Sequence, residues 1–322
     1  MEIRNTSGFE VEVARTDLGQ REVVSVAIVK GTFDVAADGT LTPSSEPTPL
    51  VKQVLETPFG VFHSEYFFKK QGVDLCVLGT VHRPRPVDEA RVRMTCRNRT
   101  WELVVRGDRR WIRARPDRLT PSRPEPFTSM PLGYSRAFGG QIQLGDLTVG
   151  YAANPQGRGY YRTIEEAENQ PLPNIEDVRR PSPPHWIPEE PPPAGWAPYP
   201  NFWALRANAG VAIDAKAGTL ADVRPALFNH AHPDLMLDAV DAGDRLVIEG
   251  LREERVQVGI PAPPATIEVA IGPETRAIEA PIDGIFFWVD ARKLVVTQRA
   301  RFQYALRPED LREVRVRRSN VT

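Results

Sequence analysis

The chain has 322 residues, and its 41 Lys and Arg are balanced by 42 Asp and Glu, leaving a net charge of −1. Such a balance gives no long-range field to attract nucleic acid, and no window approaches the roughly 18 consecutive apolar residues of a membrane span, so neither partner is expected. An apolar content of 41% supports a packed core, while 23 Gly and 31 Pro imply many turns and little helix.

Phe9, Val11 and Val13 alternate with polar residues, and residues 23–35 form a long apolar run stopped by the turn Ala37-Asp38-Gly39-Thr40. The chain is therefore expected to open as a β-meander. Residues 73–81 read as a buried strand, and a hairpin about Arg97-Asn98-Arg99 joins Val92 and Met94 to Trp101, Leu103 and Val105. Cys76 and Cys96 lie inside these segments, as small buried hydrophobes rather than a disulfide or metal pair. Arg106, Arg109, Arg110, Arg113 and Arg115 read as strand-spaced arginines on a solvated face.

From Pro116 to Pro131 the prolines fix φ and remove donors, which predicts an ordered loop or polyproline II rather than sheet. Thr163 and Glu166 stand in capping-box spacing and predict a short helix over 163–168. Residues 171–200 are proline-rich but carry Trp186, Trp196 and Tyr199, with Phe202 and Trp203 just beyond. That is too aromatic for a solvated linker, and the segment is expected to pack across the domain. Strands follow at 245–249, 256–260, 266–271 and 285–291, then a hairpin about Ala291-Arg292-Lys293 into 293–302. A helical signal covers 310–314, and 314–318 reads as an edge strand. The expected architecture is mainly β: two packed antiparallel, sandwich-like lobes over 1–170 and 211–322, joined by the Pro/aromatic segment 171–210 or fused into one continuous domain.

Two constellations could carry chemistry. His230, His232 and Asp234 are ligand types for zinc or iron, but a further ligand would have to come from afar, and His63, His82 and His185 lie in no recognised spacing. The alternative is a structural loop stopped by Pro233. Gly157-Arg158-Gly159 after Asn154-Pro155 reads as a tight turn with Arg158 bonded to loop carbonyls or an acidic side chain, since no lysine-bearing strand-loop-helix follows as a phosphate loop requires. There is no Gly-x-Ser-x-Gly elbow and neither cysteine has an activating neighbour. No catalytic residue and no cofactor are expected, and with no apolar leader over residues 1–8 the chain is placed in the cytoplasm.

The segment from Pro121 through Phe127-Thr-Ser-Met130-Pro131-Leu-Gly-Tyr134-Ser-Arg136-Ala137-Phe138-Gly139-Gly140, followed by Asn154-Pro155-Gln156-Gly157-Arg158-Gly159-Tyr160, resembles a bacterial family catalogued as domain of unknown function twenty-one sixty-nine. Gly107-Asp108-Arg109-Arg110-Trp111, Leu172-Pro173-Asn174-Ile175-Glu176-Asp177 and the run from Phe228-Asn229 to Asp234 match in the same order. The resemblance implies association with the type VI secretion system, as an adaptor or chaperone that loads a toxic effector onto the spike. Its partners would then be a secreted effector or toxin and spike proteins, engaged through the signature residues or through Trp186, Trp196 and Trp203. Tyr134 and Phe138, four residues apart, would share one helical face in the core. A metal-dependent hydrolase built on His230, His232 and Asp234, and a structural component carried out with the spike, are the alternatives.

Overall fold

A computed structural model describes residues 1–19, 21–180, 191–214 and 219–319. The longest apolar run of the sequence becomes its longest strand, Glu22–Val35, with nearly every side chain buried because both faces are covered. It pairs antiparallel with Glu10–Gly19 on one side and Lys293–Ala305 on the other. The sheet continues through Ile282–Trp288, reached by a hairpin in which Arg292 takes φ 50°, then Val73–Leu78 in parallel and Met236–Leu237 at the far edge. Leu41–Pro43 returns after the Asp38-Gly39 turn to pair with the end of Glu22–Val35, completing seven strands.

A five-stranded sheet runs in the order Ile175–Asp177, Arg99–Arg106, Glu89–Cys96, Arg245–Glu249, Val256–Gly259. Here burial alternates: Ala90, Val92, Met94 and Cys96 point inward while their neighbours face solvent, as a sheet covered on one side requires. The inward set joins Leu75, Val77, Ile285 and Phe287 of the seven-stranded sheet in one apolar core. A third sheet places Arg312–Arg318 between Glu2–Asn5 and Ala265–Ile271, with Glu274–Ile278 outermost. The fold is mainly β and largely antiparallel, and the described residues hold two short α-helices, Ile164–Ala167 and Ala204–Gly210. Both large sheets draw strands from residues 1–170 and from 211–322.

Three local expectations are corrected. Within 116–131, Arg118–Pro121 pairs with Trp111–Arg115 and Phe127–Pro131 with Thr80–Val87. Pro121 and Pro131 close their strands in two-stranded ribbons, where a missing donor costs little. Residues 310–314 are not helical, and Arg312–Arg318 is an interior strand because Glu2–Asn5 covers its outer side in parallel, more than 300 residues away in sequence. The arginine run is not a uniform solvated face: Arg109 is buried, and Arg106 and Arg109 both reach Glu176.

Candidate functional site

The two glycine-bearing strings of the signature meet in one junction. Phe138–Gly139 pairs in parallel with Arg158–Gly159, and the flanking bonds Arg158 N–H to Ala137 O (3.0 Å) and Tyr160 N–H to Gly139 O (2.9 Å) extend the pairing. Asn154, fully buried, donates its Nδ2 to the carbonyls of Tyr134 (2.8 Å) and Phe138 (2.9 Å), while its own carbonyl accepts from Gly140 and Gly157. Gly139 is required by φ +148° and by a backbone approach that would put a Cβ 2.1 Å from Asn154 O. At Gly157 a Cβ would lie 2.5 Å from Asn154 Nδ2, so the space is the amide's own. Pro155 and Tyr160 flank the turn half-buried.

Tyr134 and Phe138 do not share a helical face. Tyr134 begins a single 3-10 turn, and Phe138 is already extended, with its ring against Tyr151. Tyr134 instead packs edge-on against Tyr199 and Trp203, at 5.4 and 5.8 Å between ring centres. The described part of the Pro/aromatic segment beyond residue 190 does pack across the molecule: Trp196 is buried and its carbonyl accepts from Val77 N–H, and Tyr199 Oη donates to Ala153 O (2.6 Å). Phe202 remains exposed, and Trp186 lies outside the described residues. Phe127 and Met130 are buried in the core against the Thr80–Val87 strand.

The histidine loop closes onto the other side of Tyr199, whose N–H donates to His230 O. Asp74, fully buried in the Val73–Leu78 strand, accepts from Asn229 Nδ2 and from the backbone N–H groups of His230 and Ala231, each at 3.0 Å, and pairs with Lys70 at 2.9 Å. Burial works against the Asp74 carboxylate, but Lys70 and the His230 donors hold it well below the usual range. His230 stacks on His63 at 4.0 Å, and His232 Nδ1 accepts from Asp234 N–H. Burial, with His230 adding to it, pulls His63 down to about 2, and burial pulls His232 down to about 4, so both are neutral near pH 7. The Asp234 carboxylate faces Arg180 at the surface. Among the described residues no three His, Cys, Asp or Glu side chains are grouped to hold a metal ion. Cys76 and Cys96 are buried free thiols, both pushed up by burial.

The junction walls an open cleft of about 640 Å³, lined on one side by Ser135, Gln156, Gly157 and Arg158 and on the other by Asp108, Arg109, Arg110 and Glu125. Asn174, buried, fixes both walls: its N–H donates to Arg136 O, and its Nδ2 donates to Arg106 O (3.0 Å) and Asp108 Oδ1 (2.9 Å). Arg158 reaches Asp108 at 3.4 Å and donates to Ser135 O, matching the loop-carbonyl and acid contacts expected of it. Arg136 approaches the same carboxylate at 3.9 Å. Gly107 lets the chain pass Glu125, where a Cβ would stand 1.7 Å from its carbonyl oxygen. Sequence reasoning named the glycine strings but not this cleft or the clamping roles of Asn154 and Asn174, whose partners lie 16 to 68 residues away.

A model of the bacterial family described as "uncharacterized protein conserved in bacteria (DUF2169)" matches residues 20–299. The chain belongs to that family. No curated protein and no solved structure matches it.

Proposed function

We propose that this member of an uncharacterized bacterial family is a non-catalytic adaptor, which holds a toxic effector in the cytoplasm and helps load it onto the spike of a type VI secretion system. The observation that carries the reading is the convergence of strings from residues 107–111, 121–140, 154–160 and 172–177 on the walls of one open cleft. A cleft whose walls are clamped by buried asparagines loses little freedom when a partner docks, and guanidinium groups at its edge are common anchors in protein interfaces. The polar, mixed-charge lining suits a polypeptide better than it suits a small apolar ligand, which favours enclosed apolar cavities.

Co-expression with the effector and spike proteins encoded beside the gene tests this, with affinity purification followed by size-exclusion chromatography. A stoichiometric complex that raises effector solubility is expected. Elution of the chain alone with every neighbour, and an effector soluble without it, overturns the adaptor reading.

A further inference from the structure

The charged residues that line the cleft are Arg109, Arg110 and Arg158 against Asp108 and Glu125, an excess of one positive charge. Arg106 and Arg136, outside the lining, share carboxylates with Arg109 and Arg158. Asp108 serves Arg136 and Arg158, and Glu176 serves Arg106 and Arg109. Arg106 also reaches Glu89. Among the described residues Arg110 lies within 4.0 Å of no carboxylate, and its Nη1 donates only to Asn169 O at 2.9 Å. Arg109, with a side chain 9% exposed, lines the cleft but is held into the wall by Pro173 O and Glu176, and its partnerless Nε is buried. Burial first, and then Arg136, depress Arg158; burial, with Arg106 adding to it, depresses Arg109 despite Glu176. Cations that disfavour one another in a half-buried place are stabilised by an added anion.

We propose that the cleft binds Asp or Glu side chains of an extended acidic segment of the partner polypeptide, received by Arg110 and Arg158. This rests on the docking role given above and names the chemistry of the docked surface. A run of nucleic-acid phosphates fits less well, because Asp108 and exposed Glu125 stand in the same cleft and would repel an unbroken line of negative charge, whereas separate carboxylates can alternate with them.

The test uses the full chain and fluorescein-labelled, C-terminally amidated peptides of Gly, Ser and Glu, with the Gln counterpart and a single-stranded oligonucleotide as competitors, read by anisotropy at low salt. The Glu peptide is expected to bind at least about tenfold more tightly than the Gln peptide, weakening as salt rises, and Arg110→Glu is expected to remove about tenfold or more. Arg110 is exposed, so its variants should keep the wild-type melting curve; Arg110→Gln is the second variant should charge reversal unfold the chain. Equal binding of Glu and Gln peptides, unchanged affinity in both Arg110 variants, or tighter binding of the oligonucleotide overturns the proposal. A co-purified partner complex that survives Arg110→Glu sinks acid recognition alone, while absence of any complex with wild type sinks the docking role itself.

Discussion

Asn154 ties two strings of the signature together with one amide. Its Nδ2 protons satisfy carbonyls 20 and 16 residues earlier in the chain, the first of them at a fully buried contact. Removing the amide strands the Phe138 carbonyl, leaves the Tyr134 carbonyl with Ala137 N–H alone, and opens a void; the lost bond and the void each cost a buried site of this kind about 1–3 kcal/mol. Asn154→Ala is therefore expected to lower the unfolding free energy by about 2–4 kcal/mol, measured by urea titration. Gly145→Ala provides the contrast: Gly145 has φ +60° but open space around its Cβ, so only the left-handed backbone is penalised, by about 1–2 kcal/mol. Equal costs for the two would mean that Asn154 is not a clamp. At this scale the sequence shows which residues are unusual, since Asn-Pro-x-Gly-x-Gly is a rare string, but not what they touch. Hydrogen-bond partners at such separations depend on tertiary placement, which no local period encodes.

The loop of residues 229–234 and the Val73–Leu78 strand form a buried polar element whose stability depends on pH. His63 and His232 titrate near 6.5 when unfolded, but in the fold burial holds them at about 2 and about 4. The unfolded chain thus takes up these protons first, so the stabilisation is complete above about pH 6.5 and is lost as pH falls below it. Each such histidine removes up to about 1.4 kcal/mol per pH unit in that window. Asp74, held below its usual range, adds a further loss only when pH drops below its unfolded value near 3.8. The melting temperature is expected to fall steadily from pH 6.5 to 4.5. His63→Phe, which keeps a ring against His230 and removes one titrating group, should shallow the slope by about one proton; an unaltered slope would exclude His63 as a source. Elements with strong periods, such as Glu22–Val35 and the Arg97-Asn98 hairpin, were legible in sequence. Arg118–Pro121 and Phe127–Pro131 were not, because their prolines argue against sheet unless the ribbon's open edge is known.

At the scale of the molecule, the two ends of the chain are partners. Lys293–Ala305 pairs with Glu22–Val35 along its whole length, and Ile282–Trp288 separates it from Val73–Leu78. The pattern of strands identifies a mainly β protein, but sheet order across so many residues is invisible to composition: both large sheets draw strands from 1–170 and from 211–322. A fragment of residues 1–170 would leave one face-to-edge side of Glu22–Val35 unpaired and would expose Leu75, Cys76 and Val77, all fully buried in the intact chain. A fragment of 211–322 would likewise leave Lys293–Ala305 without its longest partner, an apolar edge prone to pairing with other chains. Neither fragment is expected to fold alone, and the intact chain is expected to unfold in one transition, with tryptophan fluorescence and far-ultraviolet circular dichroism coincident in urea. A soluble 1–170 fragment with dispersed amide resonances would show instead that the N-terminal strands carry their own core, and that Lys293–Ala305 docks onto a lobe already formed.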